Sequence, residues 1–291
     1  MLEHELFEVL LGGVVIGSAY IIAVIGLSLI YGVSEVFNYA YGSLLMLAAY
    51  LAWLLSSTVF SGVYYPLVFI IIPPIMFGLG VIIERGICRP LRRQPNWMIT
   101  SVIATLGLGL MMNSLFLVFF GPYAKVLPSL RKGIIHLGGF TLAEDRLIIL
   151  LTGIAIVVIL ALFLSKTRLG MSMRAVAQDI VGARIVGIPL DRVFGYTFGV
   201  STALAGISGI FIGSIYTLSP EGGWLLFIRA FVILALGGVG SLRGAVCAAL
   251  ILGIMENVVS WQLGSLWVFP FWFVVFLVIL TLRPRGLFGI R

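Results

Sequence analysis

The chain has 291 residues, of which 61% are hydrophobic and only 10% are charged, and its mean hydropathy is +1.20. A soluble globular domain is about 45–50% apolar, so this composition excludes a water-soluble protein and indicates a chain that lies in a lipid bilayer. The net charge of +7 indicates basic loops at a cytoplasmic face rather than a nucleic-acid groove, because no run of Lys and Arg alternates with aromatic residues.

The apolar segments are each long enough to be considered as membrane-spanning helices, which need about 20 apolar residues. In chain order they are 9–31, 39–59, 63–84, 98–120, 146–165, 193–217, 225–260 and 267–282. The run 225–260 is broken by LGGVGSLRG at 236–244, so it predicts two short crossings or one re-entrant hairpin. The sequence therefore predicts an all-α bundle of about eight or nine transmembrane segments, forming a single transmembrane domain over residues 1–291.

Basic residues gather in the loops 85–97 and 166–192 and in the C-terminal tail, and the positive-inside rule places these parts in the cytoplasm. Three crossings precede the first basic loop, so the N-terminus is predicted to lie outside and the C-terminus inside. This parity allows nine crossings, or seven and a re-entrant hairpin, and a hydropathy plot would count eight if it merged the short pair. The longest outside loop, 121–145, contains LRKGIIHLGGFTL, which predicts a short hairpin.

Residues that carry chemistry are sparse. Cys88 and Cys247 are the only cysteines and His4 and His136 the only histidines, and this spacing supports neither a disulfide framework nor a metal site. There is no phosphate-binding G-x-x-x-x-G-K-[ST] motif and no Ser–His–Asp set. A membrane-bound enzyme would need clustered catalytic groups, so we expect no catalytic residues, no metal and no cofactor.

Four polar residues lie within or beside the apolar segments. Glu35 and Asn38 interrupt the first hairpin, and they lie either in a solvated turn or on a functional path, since carboxylates near the membrane are costly. Asn113 is predicted to hydrogen-bond a neighbouring helix, a contribution of about 0.6 kcal/mol. Glu256 either pairs with Arg229 in the bundle interior or lies near the outer interface.

The cytoplasmic loop 166–192 predicts one short helix with a small apolar face. Ser172 is a candidate N-cap, and Pro189 blocks continuation of the helix. The residues that recur at helical spacing are Val176, Ile180, Ala183 and Gly187. Such a face favours docking into a groove on another protein, or else an interfacial helix lying on anionic lipid.

Several stretches resemble the permeases of branched-chain amino-acid ABC importers. They are GLSLIYGVSEVFNYAYGSLLMLAAY (26–50), RAVAQDIVGARIVGI (174–188), FGVSTALAGISGIF (198–211), LGGVGSLRGA (236–245) and LRPRGLFG (282–289). The arrangement resembles the H-type subunit rather than its longer M-type partner. Where the family usually has Phe-Ala-His-Gly-Asp/Glu, this chain has Tyr39-Ala40-Tyr41-Gly42-Ser43, so the solute stays open between branched-chain amino acids and urea, amides or other small solutes.

The resemblance implies an importer in the cytoplasmic membrane of a bacterium or archaeon. This chain would supply half of the channel, beside an M-type permease, two ATP-binding cassette ATPases that hydrolyse ATP, and an external solute-binding protein. In the family a small-residue cytoplasmic helix docks on the ATPase, and the residues carried over to it are Arg174, Ala175, Ala177, Gly182, Ala183 and Gly187. The implied contacts include membrane lipid and no nucleic acid.

The alternative function is a self-contained secondary transporter or channel. A secondary transporter would be expected to carry several buried ionisable groups for ion coupling, and Glu256 is the only strong candidate in the sequence. Few hydrogen-bonding groups lie at membrane depth, so we expect a largely apolar pathway that binds solute weakly, with selection in the external binding protein.

Overall fold

The structure is a computed structural model that describes residues 2–59, 65–128, 133–137, 140–283 and 286–288. Within these residues, seven helices are long and apolar enough to cross a bilayer, and two shorter helices are also apolar. Residues 129–132 and 138–139 of the predicted outside loop lie outside the described residues.

The apolar helices are α1 (Leu2–Ser34), α2 (Tyr41–Leu54), α3 (Tyr65–Ile83), α5 (Trp97–Phe120), α6 (Glu144–Lys166), α9 (Leu190–Ile215), α10 (Gly222–Gly237), α11 (Leu242–Leu263) and α12 (Val268–Leu282). Three short helices lie between them, and these are α4 (Arg89–Leu91), α7 (Arg168–Gln178) and α8 (Ile180–Ile185). One π-helical segment, Leu55–Val59, extends α2, and another, Glu84–Cys88, joins α3 to α4. A 3₁₀ turn, Ser265–Trp267, precedes α12.

The loops meet at two opposite ends of the bundle. At one end, a cavity brings together Gly32, Met98, Arg174 and Gly240, which belong to four separate connections or helix ends. We call this end the basic face, because the loops that the positive-inside rule assigns to the cytoplasm lie here. At the other end, Lys125 after α5 pairs through its backbone with Leu218 after α9.

Successive apolar helices run between these two ends in alternating directions. For example, Ser201 in α9 donates to the Gly26 carbonyl at 2.6 Å, and Ser208 donates to the Ala19 carbonyl at 2.9 Å, so α9 runs antiparallel to α1. The seven long and two shorter helices agree with a prediction of eight or nine segments, and the region 225–260 forms two helices joined by a turn.

The break between α10 and α11 depends on glycine. Gly238 and Gly240 have φ values of 94° and 82°, in the left-handed region that glycine adopts without steric cost. Ser241 then caps α11 by accepting a hydrogen bond from the Gly244 backbone at 3.1 Å. The sequence LGGVGSLRG thus turns the chain back at the basic face within a few residues.

The core lies between α1 and α9, which are mostly buried, whereas α5, α6 and α12 expose most of their apolar surface. Small residues allow the central helices to approach closely, as is typical inside membranes. A Cβ atom on Gly253 of α11 would lie only 2.6 Å from the Gly17 Cα of α1. The glycine-rich sequence of these helices is therefore used for contact between backbones.

The predicted outside hairpin is present as two short antiparallel strands, β1 (Ile134–Leu137) and β2 (Phe140–Ala143). The strands end directly before α6, where the Glu144 backbone donates to the Gly133 carbonyl at 2.9 Å.

Candidate functional site

A buried polar cluster lies deep among the helices and consists of Tyr20, Tyr216, Arg229 and Glu256. The Glu256 carboxylate accepts hydrogen bonds from the hydroxyls of Tyr20, at 2.8 Å, and Tyr216, at 3.0 Å. The Arg229 Nη2 atom lies 3.2 Å from Glu256 Oε1, and its Nη1 atom donates to the Tyr20 hydroxyl at 3.0 Å. The ion pair considered in the sequence is therefore present, and Glu256, only 3% exposed, is buried inside the bundle.

Four separate parts of the fold bring this cluster together. Tyr20 comes from α1, Tyr216 directly follows α9, Arg229 lies in α10, and Glu256 lies in α11. Burying an unpaired carboxylate in hydrocarbon is costly, and here Glu256 accepts from two tyrosine hydroxyls and faces Arg229, which in turn donates to the Tyr20 hydroxyl. The cluster is consequently neutral as a whole, and its parts hold one another in place.

An outer cavity of about 190 Å³ adjoins the cluster between α2, α9 and α10. Arg229 and Tyr216 form part of its wall, next to Thr217 and Ser219 in the connection from α9 to α10. Its remaining lining is glycine or apolar, apart from backbone groups, and comprises Met46, Ala49, Gly209, Ile212, Gly213, Leu218, Gly222, Leu225 and Leu226. The lining of the cavity is thus mostly apolar and includes one guanidinium group.

Two of the other three polar residues singled out in the sequence, Asn113 and Asn38, have side-chain hydrogen bonds. The Asn113 side chain of α5 accepts a hydrogen bond from the Ser43 hydroxyl of α2 at 3.0 Å, which confirms the predicted contact between helices. Asn38 is buried and shapes the turn before α2, where its Oδ1 atom accepts from the Ala40 backbone at 3.1 Å. Glu35 is exposed and has a φ of 55°, so it lies in a solvated turn after α1.

The cytoplasmic loop 166–192 differs from its prediction in two respects. It contains two helices, α7 and α8, because Asp179 has an extended conformation (φ −157°, ψ 104°) and caps α8 through the Val181 backbone. The N-cap of α7 is Thr167, which accepts from the Gly170 backbone at 3.0 Å, so the prediction for Ser172 was wrong. Ser172 instead donates to the Arg168 carbonyl inside α7.

The small apolar face predicted for this loop is turned into the chain itself. Val176 and Ala183 are only 1% and 4% exposed, and α7 packs against α1, α6 and α9. Gly187 lies beyond α8 in a turn with a φ of 83°. Exposed apolar residues exist instead on α8 and directly after it: Val181 and Ile185 of α8 and the C-cap residue Val186 are 68%, 80% and 76% exposed.

The residues carried over from the family lie on different sides of the two helices. Arg174 and Ala177 are exposed and line the cavity at the basic face, whereas Ala175 and Gly182 are half-buried. A Cβ atom on Gly182 would lie 2.5 Å from the carboxylate of Asp179. A substitution at Gly182 would therefore disturb the cap of α8 as well as its surface.

A second charged cluster at the basic face was not found from the sequence. Arg92 pairs with the fully buried Glu84, and Arg89 pairs with Asp191 at 2.6 Å. The Arg92 guanidinium also lies 4.0 Å above the ring of Phe194, a cation–π arrangement. The sequence showed these arginines as part of a basic loop, and their pairing with α9 depends on tertiary contacts that no local pattern reveals.

Comparison with known proteins gives a consistent family. Residues 9–282 match the family described as "Branched-chain amino acid transport system / permease component". The permease protein LivH of the high-affinity branched-chain amino acid transport system of Escherichia coli K12 is 28% identical, over 95% of this chain and 93% of that protein. BraD of Pseudomonas aeruginosa, named for the same kind of system, is 27% identical over 98% and 96%.

More distant similarity extends to an archaeon and to a solved structure. A probable LivH permease of Methanocaldococcus jannaschii is 24% identical over 97% of this chain. The structure titled PsaBC from Streptococcus pneumoniae in complex with Fab has a TM-score of 0.51, covers 96% of this chain and 92% of its own, and is 14% identical, which shows a shared fold alone. With relatives in bacteria and archaea and with its many apolar helices, the chain is a multi-pass protein of the cytoplasmic membrane. It belongs to the family of permease components of branched-chain amino acid transport systems.

Proposed function

We propose that the chain is the H-type permease subunit of a binding-protein-dependent ABC importer for branched-chain amino acids or closely related small solutes. The observation that carries this proposal is the family match across residues 9–282, together with two relatives of nearly equal length named for that transport system. The departure at Tyr39-Ala40-Tyr41-Gly42-Ser43 keeps urea and amides among the solutes to be tested.

In this proposal the chain forms half of the translocation pathway and does not hydrolyse ATP. Its partners are an M-type permease, two ATP-binding cassette subunits and an external solute-binding protein. The exposed apolar surface of α5, α6 and α12 is suited to contact with lipid tails, which are as apolar as these helices, and with the membrane helices of the second permease.

We assign ATPase docking to the exposed apolar surface formed by Val181 and Ile185 of α8 and by Val186, which directly follows α8. These residues are exposed at the basic face, and an exposed apolar helix face fits a hydrophobic groove on a partner. Val176 and Ala183 cannot serve this purpose, because they pack against the rest of the chain. In this proposal they connect α7 and α8 to the bundle, so that a movement of α8 on the ATPase is passed through α7 to α1, α6 and α9, which α7 contacts.

Copurification in mild detergent tests the assembly. The chain, tagged and expressed with its neighbours, should bring down a second permease and two ATPase subunits. Recovery of the chain alone, or of a functional homo-oligomer with ion-driven transport, would instead support the secondary transporter.

The docking face is tested by Ile185→Asp, which places a charge on the apolar face. We expect solute-stimulated ATP hydrolysis to be lost while membrane insertion persists. Ile185→Leu keeps the face apolar, and Gln94→Asp adds the same charge elsewhere on the basic face, where Gln94 is exposed. Both controls should retain activity, and a fully active Ile185→Asp would remove α8 from the docking surface.

A further inference from the structure

The outer cavity has the chemistry of a solute site. Its polar lining residues are Arg229, Tyr216, Thr217 and Ser219, and the rest of its lining is apolar or glycine. Ligand sites are typically apolar pockets with a few convergent polar groups that fix orientation. A volume of about 190 Å³ is below the roughly 300–1,000 Å³ of pockets for drug-sized molecules, so it suits a much smaller solute.

Arg229 retains hydrogen-bonding capacity towards the cavity. A guanidinium carries five N–H donors in a planar fork that matches a carboxylate. Within the part of the chain that the structure describes, its polar contacts go to Tyr20 and Glu256. Arg229 also lies over the Tyr216 ring, with its Cζ atom 5.0 Å from the ring centroid, and it lines the cavity, so it is the charged donor of the lining to which a ligand carboxylate would bind.

Because the charges of Arg229 and Glu256 cancel, the cavity favours a ligand without net charge over an anion. Glu256 already offsets the Arg229 charge at 3.2 Å, so a bare anion would leave uncompensated negative charge in a mostly apolar cavity, which is costly. A zwitterion brings no net charge, and its ammonium group can donate to the hydroxyl oxygens of Thr217 and Ser219. Its aliphatic side chain would lie on the wall formed by Met46, Leu225 and Leu226.

We propose that the outer cavity is a weak transit site for a small aliphatic zwitterion, with the solute carboxylate on Arg229 and the solute side chain on the apolar wall of α2 and α10. This inference rests on the proposed function and adds a specific site to it. It also modifies the expectation of a purely apolar pathway. The pairing of Arg229 with Glu256 keeps the site weak, because the solute must share a guanidinium that is already engaged, and a weak site does not trap solute in transit.

The test measures binding of L-leucine to the assembly of both permeases and both ATPases, without binding protein, by saturation-transfer NMR at millimolar concentrations. Ser219→Leu narrows the cavity and leaves the four cluster residues unchanged. Ser114→Leu makes the same chemical change on the exposed side of α5 and is the matched control. We expect a leucine signal for the unmodified assembly and for Ser114→Leu, and its loss in Ser219→Leu.

Leucinamide, which lacks the carboxylate, should give no signal with any of these proteins. A second variant, Arg229→Gln with Glu256→Gln, removes both charges together and should fold but lose the leucine signal. The site is wrong if Ser219→Leu binds leucine as the unmodified assembly does, if leucinamide binds equally well, or if the unmodified assembly gives no leucine signal. Leucine uptake by the complete importer is measured in parallel, so that a missing site is distinguished from a wrong transport function.

Discussion

Glu256 and Arg229 show how a charged residue is accommodated in this bundle. The carboxylate accepts two tyrosine hydroxyls and an ion pair, and Trp272 packs edge-on against Tyr20 with ring centroids 6.0 Å apart. Removing one member of a buried pair leaves the other charge without a partner and costs about 3–5 kcal/mol, whereas replacing both can be nearly neutral. The pair therefore couples α10 to α11 without a large net contribution to stability.

Glu256→Ala should lower the free energy of unfolding in detergent by about 3–5 kcal/mol, because Arg229 then remains buried and unpaired. The double variant with Arg229→Met and Glu256→Met should lose clearly less free energy of unfolding than the sum of the losses in the single variants Arg229→Met and Glu256→Met, as measured by thermal or denaturant unfolding. Glu35→Ala is the control, since Glu35 is exposed and its loss should change stability by about 0.5 kcal/mol or less. Equal stability of the Glu256→Ala and Glu35→Ala variants would contradict the buried pair.

Among individual residues, the sequence identified polar side chains only where they interrupt an apolar segment. Asn113 and Glu256 stand out in apolar helices, and both were found to have polar partners. Tyr20 and Tyr216 were missed, because a tyrosine in a membrane helix has an apolar ring that packs like any other, and its hydroxyl partner is set by the tertiary fold.

The helices and their breaks could largely be predicted from hydropathy and glycine. The segment 98–120 corresponds to α5 (Trp97–Phe120), and the break at 236–244 corresponds to the turn between α10 and α11. The two-helix form of loop 166–192 could not be predicted, because it depends on Asp179 capping α8. The orientation of its apolar face was wrong because helical spacing shows that a face exists but not which neighbour covers it.

The close packing of α1 on α11 predicts that a glycine at their contact cannot be replaced without loss of stability. Gly253→Ala should destabilise the protein by about 1–3 kcal/mol, because the new Cβ would meet the backbone of Gly17 at 2.6 Å. Gly107→Ala on α5 is the matched change, since a Cβ there meets nothing within 4 Å and alanine favours a helix by up to about 1 kcal/mol. Thermal unfolding of the two variants in the same detergent should therefore shift in opposite directions, and a similar shift for both would show that this contact is not tight.

At the scale of the whole molecule, the nine alternating helices of the described residues place the start of α1 and the end of α12 on opposite sides of the membrane. The exposed native cysteine is first removed as Cys247→Ala, while Cys88 is buried. An impermeant thiol reagent added from outside should then label Tyr123→Cys, which is 78% exposed in the loop after α5, and should not label Gln94→Cys. The reverse labelling would overturn the positive-inside assignment and would place α7 and α8 outside the cell.

Fold class and family could be predicted from the sequence because composition, apolar segments and several motifs agree across the whole chain. Pairing across the bundle could not, since contacts such as Arg89 with Asp191 of α9 join segments that are far apart in the chain and belong to no recognisable motif. The site proposals therefore depend on the structure, whereas the transport function depends mainly on the family.

Uptake of labelled leucine into proteoliposomes that contain this chain, the partner permease and both ATPases tests the transport function most directly. ATP is enclosed on the side of the ATPase subunits, and the binding protein is added on the opposite side. Leucine should then accumulate inside against its concentration gradient. Omission of this chain, of ATP or of the binding protein should each abolish accumulation. Accumulation that persists without ATP and follows an imposed proton or sodium gradient would contradict the account and identify a secondary transporter.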